Sequence, residues 1–171
     1  MMNKYPSSFV AAALLVATLS AAQAQNLIER VRRDEIAYMT SEEPAMRRAF
    51  EQARGSLDTF LTKSTAPVSG TDGHALKVAI SDGKNTEYFW VVDFASDGDQ
   101  FTGVLNNEPR LVKKHKYGEK IAFRRDQIAD WTYMDTANRR MHGNFTACAL
   151  LTKEPPAQAA DFKRQYGLRC D

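Results

Sequence analysis

The sequence is short of the features that make a protein's chemistry easy to read. Among 171 residues there are 2 cysteines and 3 histidines, and 23 Lys+Arg against 21 Asp+Glu leave a formal net charge of only +2. So even a balance gives no electrostatic argument for nucleic acid or for an acidic partner. His74, His115 and His142 stand apart, with no H-x-x-x-H pair and no Cys or Asp cluster at ligand spacing, so neither a metal site nor a cofactor is implied. No G-x-S-x-G, P-loop or dinucleotide fingerprint occurs, which removes the familiar nucleophile and nucleotide signatures. There is no internal repeat and no low-complexity segment.

Long apolar runs are also missing. The one short run, Phe9 to Leu19, follows Lys4 and precedes Ala22-Gln23-Ala24, the small residues a signal peptidase reads. About eleven apolar residues fall well below the ~20 that span a bilayer. Residues 1–24 therefore read as a cleaved secretory signal and not as a transmembrane anchor, and no Cys follows to accept a lipid. The mature chain from Gln25 is expected to be periplasmic or secreted, with 147 residues and net charge +1. That length suits a single core, and 43% hydrophobic with 26% charged residues is ordinary globular composition.

An oxidising compartment changes how Cys148 and Cys170 are read, since a disulfide becomes the default for an even cysteine count. The bridge would fasten the C-terminal tail to the last strand. A catalytic or metal-binding thiol has no second ligand or C-x-x-C spacing to support it.

Residues 25–40 are a polar lead-in, with Asp34–Met39 a candidate short strand. Ser41-Glu42-Glu43-Pro44 then combines a capping hydroxyl, acids for the first turn and a proline that needs no N–H there, so a helix is predicted. Met46, Ala49, Phe50, Ala53, Leu57, Phe60 and Leu61 give it one apolar side. Lys63–Gly73 reads as loop. Beyond it, His74–Ile80, Thr86–Phe94, Gln100–Leu105, Lys120–Arg124, Ile128–Met134 and Asn144–Leu151 are β-rich runs, and Asp82-Gly83 and Asp97-Gly98 mark hairpins. Ala157–Tyr166 reads as a short helix stopped by Gly167. The expected fold is α+β: an N-terminal amphipathic helix on a curled, mainly antiparallel sheet of five to six strands, with a short C-terminal helix.

Several ordered motifs resemble the YegJ-like family of bacterial proteins, domain of unknown function 2314. They are Glu87-Tyr88-Phe89-Trp90, the run Phe101 to Pro109, Gly118-Glu119, Ile128 to Tyr133 and Gly143 to Thr146, preceded by Glu43-Pro44-Ala45-Met46 and Leu57-Asp58-Thr59-Phe60. The resemblance covers residues 41–151, leaving 152–171 as a tail with a short helix. It carries over no catalytic residues, and where the family pattern usually has His this chain has Tyr88.

Each candidate site has a structural counterpart. Asp130 and Trp131 could hold a ligand by hydrogen bonding and stacking, but a core tryptophan with an aspartate tying down backbone N–H groups is the favoured reading. Glu87 and Trp90 should face opposite sides of their strand. Asn106, Asn107, Glu108 and Pro109 could contact a ligand or simply make the turn. Lys113-Lys114-His115-Lys116, with Arg110, Arg124 and Arg125, could bind anionic envelope components or be a solvated loop. The leading function is a periplasmic, non-enzymatic binding or interaction protein for an unknown protein or envelope ligand. One form of it is an inhibitor or immunity-type protein against a periplasmic toxin. The enzyme alternative is a small envelope hydrolase using Asp130, Glu87 and His142, which requires those three to converge.

Overall fold

In the computed structural model, the described residues are 41–66 and 69–170; the residues 1–24 read as a signal, the lead-in 25–40 and its candidate strand Asp34–Met39 lie outside them. Helix α1 spans Pro44–Thr65 and is followed by β1 (Thr71–Ser81), β2 (Thr86–Asp97), β3 (Gln100–Leu105) and β4 (Lys120–Arg124). A 3-10 turn at Arg125–Gln127 leads into β5 (Ile128–Asp135) and β6 (Arg140–Gly143), and helices α2 (Phe145–Leu151) and α3 (Pro156–Tyr166) complete the chain. The class is α+β, as the alternation of one apolar helix with short β runs predicts.

All strand pairs are antiparallel and the order is β4-β3-β2-β1-β5-β6. Strands β1 to β4 form a meander whose hairpins fall at the two Asp-Gly sites. Asp82 Oδ1 accepts the Lys84 and Asn85 N–H groups, and Gly98 turns with φ +58° between paired Asp97 and Gln100. The chain then returns to place β5 on the free side of β1. The edges are short: β4 has five residues and β6 four.

Alternation sorts the sheet into two faces. Leu76 lies between Val91 and Trp131, and with Val78, Phe89 and Leu105 it forms the dry face. Ala53, Leu57 and Phe60 of α1 complete that core, with Phe101, Ile121 and Phe123. Earlier on the same helix, Met46, Ala49 and Phe50 join Ala129 and Ala149 in a second cluster. The apolar spacing of α1 is thus used along its whole length.

Three local expectations need correction. The helix does not use Ser41 as a cap: Glu43 is the N-cap without a side-chain bond, and Pro44 opens the first turn, where a missing N–H is harmless. The C-terminal end of α1 runs to Thr65, into the segment read as loop. Most consequentially, Asn144–Leu151 is not a strand. Gly143 (φ +72°) and Asn144 (φ +56°) both take the left-handed conformation, ending β6 and starting α2. A Cβ at position 143 would lie 2.1 Å from the Trp131 carbonyl oxygen, so only glycine fits this corner.

Candidate functional site

Asp130 pairs with Lys77 across β5 and β1, and Lys77 pairs in turn with Trp90 on β2, so these three side chains share the face opposite the dry one. Asp130 is fully buried. Its Oδ1 accepts the Trp131 N–H at 2.8 Å, while Oδ2 accepts the Thr146 N–H and hydroxyl at 2.7 Å each. Lys77 Nζ donates to the Thr146 hydroxyl at 2.8 Å and lies 5.0 Å from the centroid of the Trp90 ring. Since Asn144 makes no side-chain cap, Asp130 takes over that task for α2 from sixteen residues upstream. Burial pushes its carboxyl above the ordinary range, opposed by Lys77 and by the donors from Thr146 and Trp131.

Trp131, one residue on, points the other way into the core. Its indole N–H reaches the Ala53 carbonyl oxygen (3.1 Å) and the Ser56 hydroxyl (3.2 Å), and its ring stacks on Phe60 at 4.9 Å. Asp130 and Trp131 therefore do not share one surface.

Glu87 lies on the dry-face side of β2, opposite Ile80. Its carboxylate accepts three consecutive backbone N–H groups, from Arg110 (2.9 and 3.1 Å), Leu111 (2.9 Å) and Val112 (3.0 Å). Successive N–H groups around one anion make a nest, here filled by the protein itself. It seats Val112, which is wholly buried, and so ties the long β3–β4 connection to the core. Asn106 and Asn107 end the β2–β3 pairing: the Asn106 N–H donates to the Trp90 carbonyl oxygen, and Asn107 Oδ1 accepts the Trp90 N–H, each at 2.8 Å. Tyr88 stacks on Phe50 at 5.8 Å.

The basic loop is engaged locally. Lys113 and Lys114 donate to the carbonyl oxygens of Pro109 and Ser81, and His115 lies 3.1 Å from Glu119. Arg124 and Arg125 pair with Asp126 and Asp58.

His142 belongs to a different construction. It stacks on Tyr133 at 4.6 Å, and His74 stacks on the same ring at 5.3 Å. Burial is the main reason both imidazoles are held below the usual histidine value, and Arg140 and Lys63 add to the effect on His142. Asp130 lies on the opposite face from Tyr133 and His142. Glu87, opposite Ile80, is about 20 Å from the His74 end of β1 at ~3.3 Å per residue. Asp130, Glu87 and His142 do not converge on one site.

His142 does line the larger of the two cavities described, about 540 Å³, together with Asp135, Arg139, Arg140, Lys163, Arg164 and Arg169. One wall is the β5–β6 turn and the other is the end of α3 with the tail. The Met141 N–H donates to the Gly167 carbonyl oxygen at 3.0 Å, Leu168 bridges beside Met141, and Cys170 is joined to Cys148 with Cα atoms 5.4 Å apart. The disulfide exists as expected, but it fastens the tail to helix α2 and not to a strand. The cavity cations were not singled out in the sequence. The available signal was two basic pairs, Arg139-Arg140 and Lys163-Arg164, on either side of Cys148, with Arg169 next to Cys170.

Among the described residues no group of three His, Cys, Asp or Glu could hold a metal ion, and no helix is long and apolar enough to cross a membrane. No solved structure matches the chain at a significant level. The uncharacterized Escherichia coli (strain K12) protein YegJ is 30% identical over 119 residues, 70% of this chain and 75% of its own length. A Neisseria meningitidis serogroup B protein with a provisional ankyrin-repeat name is 27% identical over 141 residues, 78% of this chain and 55% of that protein. Residues 43–170 match the family described as uncharacterized protein conserved in bacteria, DUF2314, and thereby include the disulfide-bound tail; the chain belongs to this bacterial family of unknown function.

Proposed function

We propose that this protein is an exported binding protein of the bacterial envelope, acting by recognition and not by catalysis. The observation that carries the reading is how the polar groups are distributed. Asp130 and Glu87, the carboxylates offered as acid and base, are occupied by internal N–H donors, whereas the larger cavity gathers cations with few acids to meet them. General acid–base chemistry needs groups within hydrogen-bonding reach of one substrate. Recognition needs a concave surface with a few convergent polar groups.

Export is supported by the signal-like residues 1–24 and by the Cys148–Cys170 bridge, which an oxidising compartment sustains. The test is cross-linking in intact cells, followed by osmotic-shock fractionation and isolation of the native protein. The expected result is a processed chain without free thiols in the periplasmic fraction, carrying a reproducible ligand or partner. A cytoplasmic, reduced protein overturns the reading.

A further inference from the structure

The cavity between the β5–β6 turn and the tail has the composition of an anion site. Arg139, Arg140, Lys163 and Arg169 have no carboxylate partner among the described residues. Asp135 is the one carboxylate in the lining and accepts the Asn138 backbone N–H (3.0 Å) and side-chain amide (2.7 Å), while Asp161 nearby pairs with Arg164. Arg140 adds an independent sign, since its Nε is buried and has no hydrogen-bond partner among the described residues. A buried donor left unpaired costs about 1–3 kcal/mol, so such groups call for an explanation. Arg140 also lines the cavity, and a guanidinium there offers an oxyanion the paired N–H donors that match phosphate geometry.

Arg139, Arg140, Lys163 and Arg169 outweigh Asp135, the one carboxylate in the lining, and so raise the local potential for an anion. Four free cations suit a doubly charged group better than a single carboxylate. About 540 Å³ lies within the ~300–1,000 Å³ range of small-molecule sites and leaves room for more than the anionic group itself.

We propose that this cavity binds a phosphate-bearing small molecule, free or as a lipid head group, between Arg139 and Arg140 of the turn and Lys163 and Arg169 of the tail. The inference rests on the binding-protein reading above and specifies its ligand. The disulfide supports the site, because Cys170 is adjacent to Arg169 and helps, with the Gly167 and Leu168 contacts to Met141, to hold the tail in place.

The experiment is calorimetric titration of the purified, oxidised protein with pyrophosphate, glycerol 3-phosphate and citrate, alongside sedimentation with phosphatidylglycerol or phosphatidylcholine vesicles. The expected result is saturable one-to-one binding of a phosphate probe, weakened about tenfold or more by Arg140→Gln and by Arg169→Gln, with Lys113→Gln unchanged. Binding of soluble esters indicates a free ligand, and binding confined to phosphatidylglycerol vesicles indicates a head group; either supports the site. If Arg140→Gln does not fold, the partly exposed Lys163→Gln carries the comparison. Absence of saturable phosphate binding, equal binding by the cavity variants, or preference for citrate overturns the proposal. A periplasmic protein with a captured partner but no phosphate binding would sink this inference while leaving the binding-protein reading intact.

Discussion

Replacing Asp130 by Ala tests whether a buried carboxylate on β5 holds helix α2 in place. The substitution removes three accepted bonds of 2.7 to 2.8 Å and strands two backbone donors, the N–H groups of Trp131 and Thr146. Two orphaned buried donors at about 1–3 kcal/mol each give a loss of ~2–6 kcal/mol. Against this, the variant no longer keeps a carboxylate out of water, but the Thr146 hydroxyl loses its acceptor and Lys77 loses the nearby negative charge. The expected net loss is ~3–5 kcal/mol, or a thermal midpoint lower by about 10 °C at ~2–4 °C per kcal/mol. Urea unfolding followed by tryptophan fluorescence measures it, with an unchanged denaturant slope as the sign that only stability has moved. Hydrogen exchange should show protection lost first across residues 145–151. A loss below about 1 kcal/mol, or exchange in α2 unaltered, refutes the role assigned to Asp130.

Glu87→Ala should empty the nest at residues 110–112 and cost about 2–3 kcal/mol, with faster exchange at Arg110, Leu111 and Val112 as the readout. Gly143→Ala should lower stability by about 2–4 kcal/mol, since φ is +72° and the new Cβ would overlap the Trp131 backbone; soluble yield and midpoint report it. Reduction of Cys148–Cys170, which closes a separation of 22 residues, should cost about 3 kcal/mol in urea midpoints with and without reductant. His74 and His142 are held below 6.5, so the unfolded chain binds more protons between that value and their folded values. Their contribution to stability is therefore present above pH 6.5 and lost as pH falls, and the His74→Gln/His142→Gln double variant should show a flatter stability profile across that window.

What could be read from the sequence was what is encoded locally. Met46 to Phe60 announces α1 because each residue's face depends only on its spacing from the next. Asp82-Gly83 and Asp97-Gly98 announce hairpins because a turn is decided within four residues. The failure at Asn144–Leu151 has a matching cause. Phe145 and Thr146 suit a strand on composition, and the group that makes them helical is Asp130, brought there by the sheet. Similarly, Glu87 could be seen as a polar residue on an apolar strand, but its donors lie 23 to 25 positions away in a connection without regular structure. The cationic cavity depended on the tail folding back beside β6, and no local pattern specifies that contact.

The short edges of the sheet bear on the behaviour of the protein at high concentration. An open strand edge offers unpaired N–H and C=O groups to any neighbouring chain, and long flat edges seed intermolecular sheets. Here β4 presents five residues with Lys120 and Arg124 at its ends, and β6 presents four, with the tail at Leu168 bridging beside Met141. Both routes by which this sheet could recruit another copy are thereby narrowed. The tail that walls the cavity thus also guards the β6 edge against aggregation, so loss of the Cys148–Cys170 disulfide that fastens this tail should show itself in turbidity as well as in binding.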